Sequence, residues 1–171
     1  KPEDIGKRAG EKAIARLNPR QVSSQKVSIV FDKDSASGLI GHFAGAISGA
    51  SIARGVSFLK DEMGAEIFAP GIDIIDDPHR IRGLRSKPFD GEGVRNTKHP
   101  LIENGVLQCW LLDTASARQL GLATNGHAAR GTGGPPSPST TNLYMVPGKV
   151  SHDQLIAEIS QGLYVTELMG F

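Results

Sequence analysis

The chain has 171 residues, 39% of them hydrophobic and 22% charged, the composition of a soluble globular protein with one domain, or one domain plus a piece of another. That composition excludes disordered, collagen-like and disulfide-stapled architectures. With 19 Lys and Arg against 18 Asp and Glu the net charge is +1, so no global field gathers nucleic acid or an anionic membrane.

The single cysteine, Cys109, excludes an intramolecular disulfide. It lies in the apolar run Val106, Leu107, Trp110, Leu111, Leu112, where it reads as a small buried hydrophobe suited to a reducing cytoplasm. Residues 35–53 lack acidic and basic side chains apart from His42, but their many Gly and Ser make them too polar to span a bilayer. The chain begins at Lys1 and ends just after an apolar segment, and it reads as a piece of something longer.

From residue 2 to 17, Ile5, Ala9, Ala13, Ile14 and Leu17 recur at spacings of three and four, with Pro2 suited to a first turn. This predicts an amphipathic helix, stopped by Asn18-Pro19. A polar connector leads to an apolar strand over residues 26–32, and a domain boundary is expected near Ser23. Residues 36–53 read as one helix with Gly41, Gly45 and Gly49 four apart on one face. Each glycine costs a helix about 1 kcal/mol relative to Ala, so this ridge predicts a closely packed neighbouring backbone.

A further short helix is expected over 57–63, then strands over 66–68 and 72–75, then a turn at Asp76-Asp77-Pro78. Asn104-Gly105 between two apolar arms is a strong hairpin signal and predicts pairing of residues 101–102 with 106–112. Thr114 is the expected cap of a helix over 115–120, closed by Gly121. Residues 124–141 are rich in Gly and Pro and read as a long mobile or functional loop. A strand over 142–146, a helix over 151–160 capped by Ser151, and a last strand over 163–168 follow. Irregular alternation with an antiparallel hairpin favours an α+β fold with a mixed, largely antiparallel sheet. No Gly-rich strand-to-helix turn carries a dinucleotide pattern, so no nucleotide cofactor is implied.

None of the five histidines pairs with another at ligand spacing. His42 lacks the second histidine and the adjacent Glu of a zinc peptidase helix and reads as a packed histidine held by one hydrogen bond. His127, in Asn125-Gly126-His127, lies at the mouth of the Gly/Pro loop, where it either contacts a ligand or is solvated. His152 reads as a surface residue, while His79 and His99 have no distinctive context. The basic run from His79 to Lys87 reads as a solvated connector rather than a phosphate patch, and Asp90-Gly91-Glu92-Gly93 as a solvated turn. No nucleophile elbow is present.

Several segments together resemble one family: Ala36-Ser37-Gly38-Leu39-Ile40-Gly41-His42-Phe43-Ala44-Gly45-Ala46-Ile47-Ser48-Gly49, Pro88-Phe89-Asp90-Gly91-Glu92-Gly93-Val94, Leu101-Ile102-Glu103-Asn104-Gly105-Val106-Leu107, Ser116-Ala117-Arg118-Gln119-Leu120-Gly121-Leu122 and Gly162-Leu163-Tyr164-Val165-Thr166-Glu167-Leu168-Met169-Gly170. In this order they resemble the TldD/PmbA family, long labelled modulators of DNA gyrase, and its PmbA (TldE) branch in particular. The resemblance implies a cytoplasmic two-subunit peptidase whose TldD-type subunit carries a His-Glu-x-x-x-His zinc site. In this sequence His42 matches the first His, Phe43 the Glu and Ile47 the second His.

The resemblance therefore implies a metal-free, noncatalytic subunit without cofactor, partnered by a TldD-type metallopeptidase and helping to enclose an extended peptide. Gly45, Asn125, Gly126 and His127 are the candidate peptide or partner contacts. Residues 1–22 then read as the tail of a preceding domain and 23–171 as a truncated PmbA-type C-terminal domain. A subunit active by itself and a gyrase-associated or DNA-associated modulator are the alternatives, and nucleic acid gets little support from a charge of +1.

Overall fold

The computed structural model describes residues 1–168. In chain order the elements are α1 (Pro2–Ile14), β1 (Ser28–Phe31), α2 (Lys33–Ala46), α3 (Gly49–Ala53), β2 (Ile74–Asp76), β3 (His99–Glu103), β4 (Val106–Leu107), α4 (Thr114–Gln119), β5 (Ala128–Ala129), β6 (Ser137–Pro138), β7 (Leu143–Met145), α5 (His152–Ala157) and β8 (Gly162–Val165). A four-stranded antiparallel sheet in the order β4-β3-β2-β7 forms the centre. β1 and β8 pair in parallel, and β5 and β6 form a short antiparallel ribbon. The fold is thus α+β with a mixed, largely antiparallel set of strands.

The β3–β4 hairpin is dictated locally. Asn104 and Gly105 adopt φ of 47° and 85°, as a type I′ turn requires of both central residues. Ile102 then pairs with Leu107 and Glu103 with Val106. The second arm is shorter than its apolar run suggests. After the Gln108 amide donates to the Leu101 carbonyl at 3.0 Å, the chain leaves the sheet so that Leu111 can bridge Ser48. Cys109 therefore lies outside regular strand.

That crossing also breaks the long predicted helix. Leu111 N–H donates to Ile47 C=O at 2.9 Å, and Gly49 N–H donates to Leu111 C=O at 2.7 Å. Main-chain groups at 47–49 are thereby committed to a neighbouring strand-like segment, and α2 and α3 are separate helices. α2 starts earlier than expected, at Lys33, because the Asp32 carboxylate accepts the Asp34 amide as an N-cap. Of the predicted glycine ridge only Gly49 meets a backbone. A Cβ there would lie 2.6 Å from Ser116 Oγ and 2.7 Å from Leu111 O, whereas Gly41 and Gly45 have nothing within 4 Å.

Other boundaries shift for similar reasons. Residues 57–63 form turns rather than a helix, since Ser57 Oγ donates to Ala46 C=O at 2.6 Å and accepts the Leu59 amide at 3.1 Å. Residues 66–68 contribute a single bridge, Glu66 to Val106. Asp76 belongs to β2 and not to the turn after it. Asp113, not Thr114, caps α4 by accepting the Ser116 amide at 2.8 Å. The last strand covers 162–165, and the expected helix from Ser151 shortens to α5.

The core gathers Phe43, Ile47, Leu59, Ile74, Leu101, Ile102, Leu107 and Leu111, with Phe43 from α2 and Ile74, Leu101, Ile102 and Leu107 from strands β2 to β4. No residue of α1 is buried, and Ile5 and Ile14 of its apolar stripe are mostly exposed. Gly49→Ala should destabilise the full-length protein by about 1–3 kcal/mol through overpacking. Gly45→Ala should raise stability by up to about 1 kcal/mol through helix propensity. Urea denaturation of the two variants checks the contrast.

Candidate functional site

α2 carries the motif positions 42 and 43, and 47 follows as its C-cap. Contrary to a packed histidine, His42 is exposed. It lines a groove of about 410 Å³ together with Lys12, Arg16, Asp34 and Glu167. Two ion pairs cross that groove, Lys12 to Asp34 and Arg16 to Glu167. Phe43 is 8% exposed and Ile47 0% exposed. The Phe43 ring stands edge-on to Phe68 with centroids 5.3 Å apart. A zinc ion needs several N, O or S donors converging on one point. Here one of the three positions faces solvent and the other two are hydrocarbon in the core, so these residues do not fit zinc. Gly45 lies on the exposed side of α2.

The buried polar chemistry lies elsewhere, at the end of the interior strand β2. His127 Nε2 is 3.3 Å from Asp76 Oδ2, with side chains 3% and 1% exposed. The Asp76 carboxylate also accepts the Thr141 amide with both oxygens, at 2.8 and 3.0 Å. On the other side of the ring, His127 Nδ1 is 2.8 Å from Asn125 Oδ1. The Asn125 amide orientation is fixed by its neighbours, since its Nδ2 donates to Trp110 C=O at 2.8 Å and its Oδ1 accepts the Leu112 amide at 2.9 Å. His127 Nδ1 therefore donates to Asn125 Oδ1, which leaves Nε2 facing the Asp76 carboxylate.

His99 completes the cluster, its ring centroid 5.3 Å from that of His127 and its Nε2 2.9 Å from Thr97 Oγ1. Burial, and then the His127 charge, hold the His99 pKa below its ordinary value. Cys109 lies close enough to feel Asp76. Burial first, and that carboxylate second, push its thiol up to about 11, so the sulfur is a neutral filler and no nucleophile.

The Gly/Pro stretch is less free than its composition suggests. Asn125, Gly126 and His127 are brought together at its start, but they face inward and only Asn125 is not fully buried. The His127 carbonyl accepts the Ser139 amide at 2.8 Å, and β5 pairs with β6. Only residues 130–135 remain as a fully exposed tip. The Asp90 segment is likewise no solvated turn. Its buried carboxylate accepts the amides of Glu92, Val94 and Ala128, while Glu92 accepts both the amide and the hydroxyl of Thr114. His79 Nε2 meets Asn96 Oδ1 at 3.1 Å. Sequence reasoning missed Asp76, Asp90 and His99, each of which meets at least one partner remote in the chain: Thr141 and His127 for Asp76, Ala128 for Asp90, and the His127 ring for His99.

A family model described as the PmbA/TldA metallopeptidase C-terminal domain matches residues 24–171. The chain belongs to the TldD/PmbA metallopeptidase family. Within the family it is closely related to the PmbA/TldE branch. It is 40% identical over 169 residues to the metalloprotease PmbA of Escherichia coli O157:H7, covering 99% of this chain and 36% of that protein. It is 33% identical, with a TM-score of 0.86, to a Thermotoga maritima protein named as a modulator of a DNA gyrase, covering 99% of this chain and 39% of that one. TldE from Thermococcus kodakarensis is 28% identical with a TM-score of 0.82, at 99% and 39% coverage. The chain thus spans little more than a third of the PmbA relative it matches. No helix among the described residues is long and apolar enough to cross a membrane.

Truncating one partner of the buried pair leaves the other charge unmatched, so Asp76→Ala or His127→Ala should each cost about 3–5 kcal/mol in denaturant unfolding. The depressed His99 pKa gives a pH signature. The unfolded chain binds that proton more readily, so the contribution of His99 is complete above its ordinary value of 6.5. It is lost as pH falls through 6.5 toward the folded value. His99→Gln should flatten stability against pH in that window. Cys109 should resist iodoacetamide at neutral pH, where about one thiol in ten thousand is ionised, and react quickly only on unfolding.

Proposed function

We propose that this chain is the C-terminal domain of a PmbA-type subunit that holds no catalytic metal and cuts no peptide by itself. It works in the cytoplasm beside a TldD-type metallopeptidase subunit and helps to enclose the chamber in which an extended peptide is cut. Residues 1–22 are then the tail of a preceding domain, and 23–171 the domain proper. The observation that carries this reading is the state of the motif helix. Phe43 and Ile47 occupy the positions of the metallopeptidase Glu and second His, and both are packed into the core. Among the described residues no three His, Cys, Asp or Glu side chains are grouped as a metal would need.

Two features support a peptide-facing role without chemistry. β7 ends the central sheet. Asp77 N–H donates to Asn142 C=O and Val146 N–H donates to Asp73 C=O, which turns residues 142, 144 and 146 toward β2. The main-chain groups of Leu143 and Met145 therefore face the open edge, where an extended peptide can add as a strand. The exposed tip at 130–135 offers further backbone donors. Asn125, Gly126 and His127 then act by holding that tip, and Gly45 is left as an exposed contact position on α2.

Metal analysis of the untagged full-length protein tests the central claim. Zinc well below one equivalent per chain is expected, and one tightly bound zinc that disappears in His42→Ala overturns the reading. In the reconstituted pair, deleting residues 131–135 should remove most peptide cleavage while pairing is retained. Normal cleavage after the deletion refutes the role given to the tip.

A further inference from the structure

The Asn104-Gly105 pair that turns the β3–β4 hairpin also sets a side-chain amide next to a main-chain nitrogen that no side chain of its own residue shields. Loops generally run over the surface, yet Gly105 is buried. Residues 64–73, the segment before β2, wrap the turn. Gly105 N–H donates to Ile72 C=O at 2.8 Å, and Gly105 C=O accepts the Ile67 and Phe68 amides, both at 3.0 Å. Leu107 N–H donates to Ala65 C=O at 3.0 Å, and Gly64 N–H donates to Leu107 C=O at 2.9 Å. Asn104 is held as well: its amide donates to Asp73 Oδ1 at 2.7 Å, and its Oδ1 accepts the Gly71 amide at 2.7 Å. A Cβ at Gly105 would overlap Phe68 O and lie 2.9 Å from Ala69 O, so the wrapped turn has no room for an added atom.

These bonds bear on one reaction. When the Gly105 nitrogen attacks Asn104 Cγ, an N–C bond forms, the Gly105 N–H proton and the side-chain NH2 leave as ammonia, and a cyclic imide closes. Water then opens the imide, its OH adding to one carbonyl carbon and its remaining hydrogen returning to the nitrogen as that C–N bond breaks. Addition at Cγ gives an aspartyl residue. Addition at the main-chain carbonyl carbon gives an isoaspartyl residue, in which the chain runs through Cβ and Cγ and so gains an atom. In the folded turn both reacting groups are engaged. The hydrogen that the nitrogen must lose is held by the Ile72 carbonyl, which is no base, and the amide that must swing onto that nitrogen is anchored through its oxygen on Gly71.

We propose that Asn104 is a modification site controlled by the fold: it converts to aspartyl and isoaspartyl products when residues 64–73 release the turn, and is protected while they clamp it. The isoaspartyl product is a one-way mark of a chain that has opened. Its added main-chain atom cannot re-enter a clamp that a single Cβ would overfill, and its new carboxylate is set beside that of Asp73.

Peptide mapping by mass spectrometry tests this on the full-length protein, held in mildly alkaline buffer with and without denaturing urea. Conversion at Asn104 should be at least about tenfold slower in the folded protein, by the factor that opening the turn costs. Asp73→Ala, which removes the acceptor of the Asn104 amide, should speed conversion in buffer several-fold and leave the rate in urea unchanged. Once urea is removed, chains with the isoaspartyl linkage should melt below unconverted chains or fail to refold, while Asn104→Asp, which adds no main-chain atom, should lose less. Equal conversion with and without urea overturns the inference, and so does the absence of conversion in urea. An unchanged rate in folded Asp73→Ala takes the protection away from the clamp, and an unchanged melting temperature of the isoaspartyl chains removes the mark. Each of those results also overturns it.

Discussion

The buried contact between Asp76 and His127 is the constraint around which the rest of the site is arranged. Taking two ionisable groups out of water is costly unless their remaining hydrogen-bonding capacity is met. Here it is met by the Thr141 amide on one side and Asn125 on the other. Those partners come from the end of β2, the segment before β7 and the loop before β5, so satisfying the pair fixes the relative placement of all three. Asn125 extends the network to the main chain of Trp110 and Leu112, which ties in the segment that breaks α2 from α3. A sequence rich in histidine and carboxylate next to a Gly/Pro loop suggests chemistry on a ligand. In the folded chain the same residue types hold strands in register.

On the reading proposed above, the opposite holds at α2, where the positions that would hold and activate a metal carry a phenyl ring and an isoleucine side chain, both in the core. Phe43 meets Phe68, and Ile47 is enclosed where Leu111 crosses. Restoring Glu and His at these positions would put polar groups into hydrocarbon without partners, which costs several kcal/mol. The identity of these two positions and the packing of the domain are therefore coupled, and exchanging one residue does not build a metal centre on this helix.

What could be read from the sequence follows the range of the interactions involved. The Asn104-Gly105 hairpin depends on two adjacent residues and their immediate flanks, and its turn forms as the sequence implies. The Ser151 cap and the closure of α4 at Gly121, with φ of 69°, are equally local. The family motifs, being contiguous, were legible too. Features with remote partners were not. Asp90 meets an amide 38 residues away, and Asp76 one 65 residues away. Neither carboxylate could be told from a solvated one by its neighbours in sequence. The glycine ridge failed for a related reason: spacing along a helix shows where space exists, and only the crossing of Leu111 decides that Gly49 alone uses it.

Residues 139–142 join the two outward features of the domain to its buried centre. The Ser139 amide holds the His127 carbonyl at the base of the 130–135 tip, and the Ser139 hydroxyl accepts Arg85 from the excursion after β2. Thr141 holds Asp76, and Asn142 braces Asp77, Arg85 and Ser86. β7, whose outer edge is open to an added strand, begins at the next residue. A short segment with so many commitments cannot shift at one of them without moving the others, because each bond has a rigid partner. The exposed tip, the free strand edge and the braced excursion are thus mechanically one surface. A displacement of the excursion would reach the strand edge through Asn142 and the start of β7.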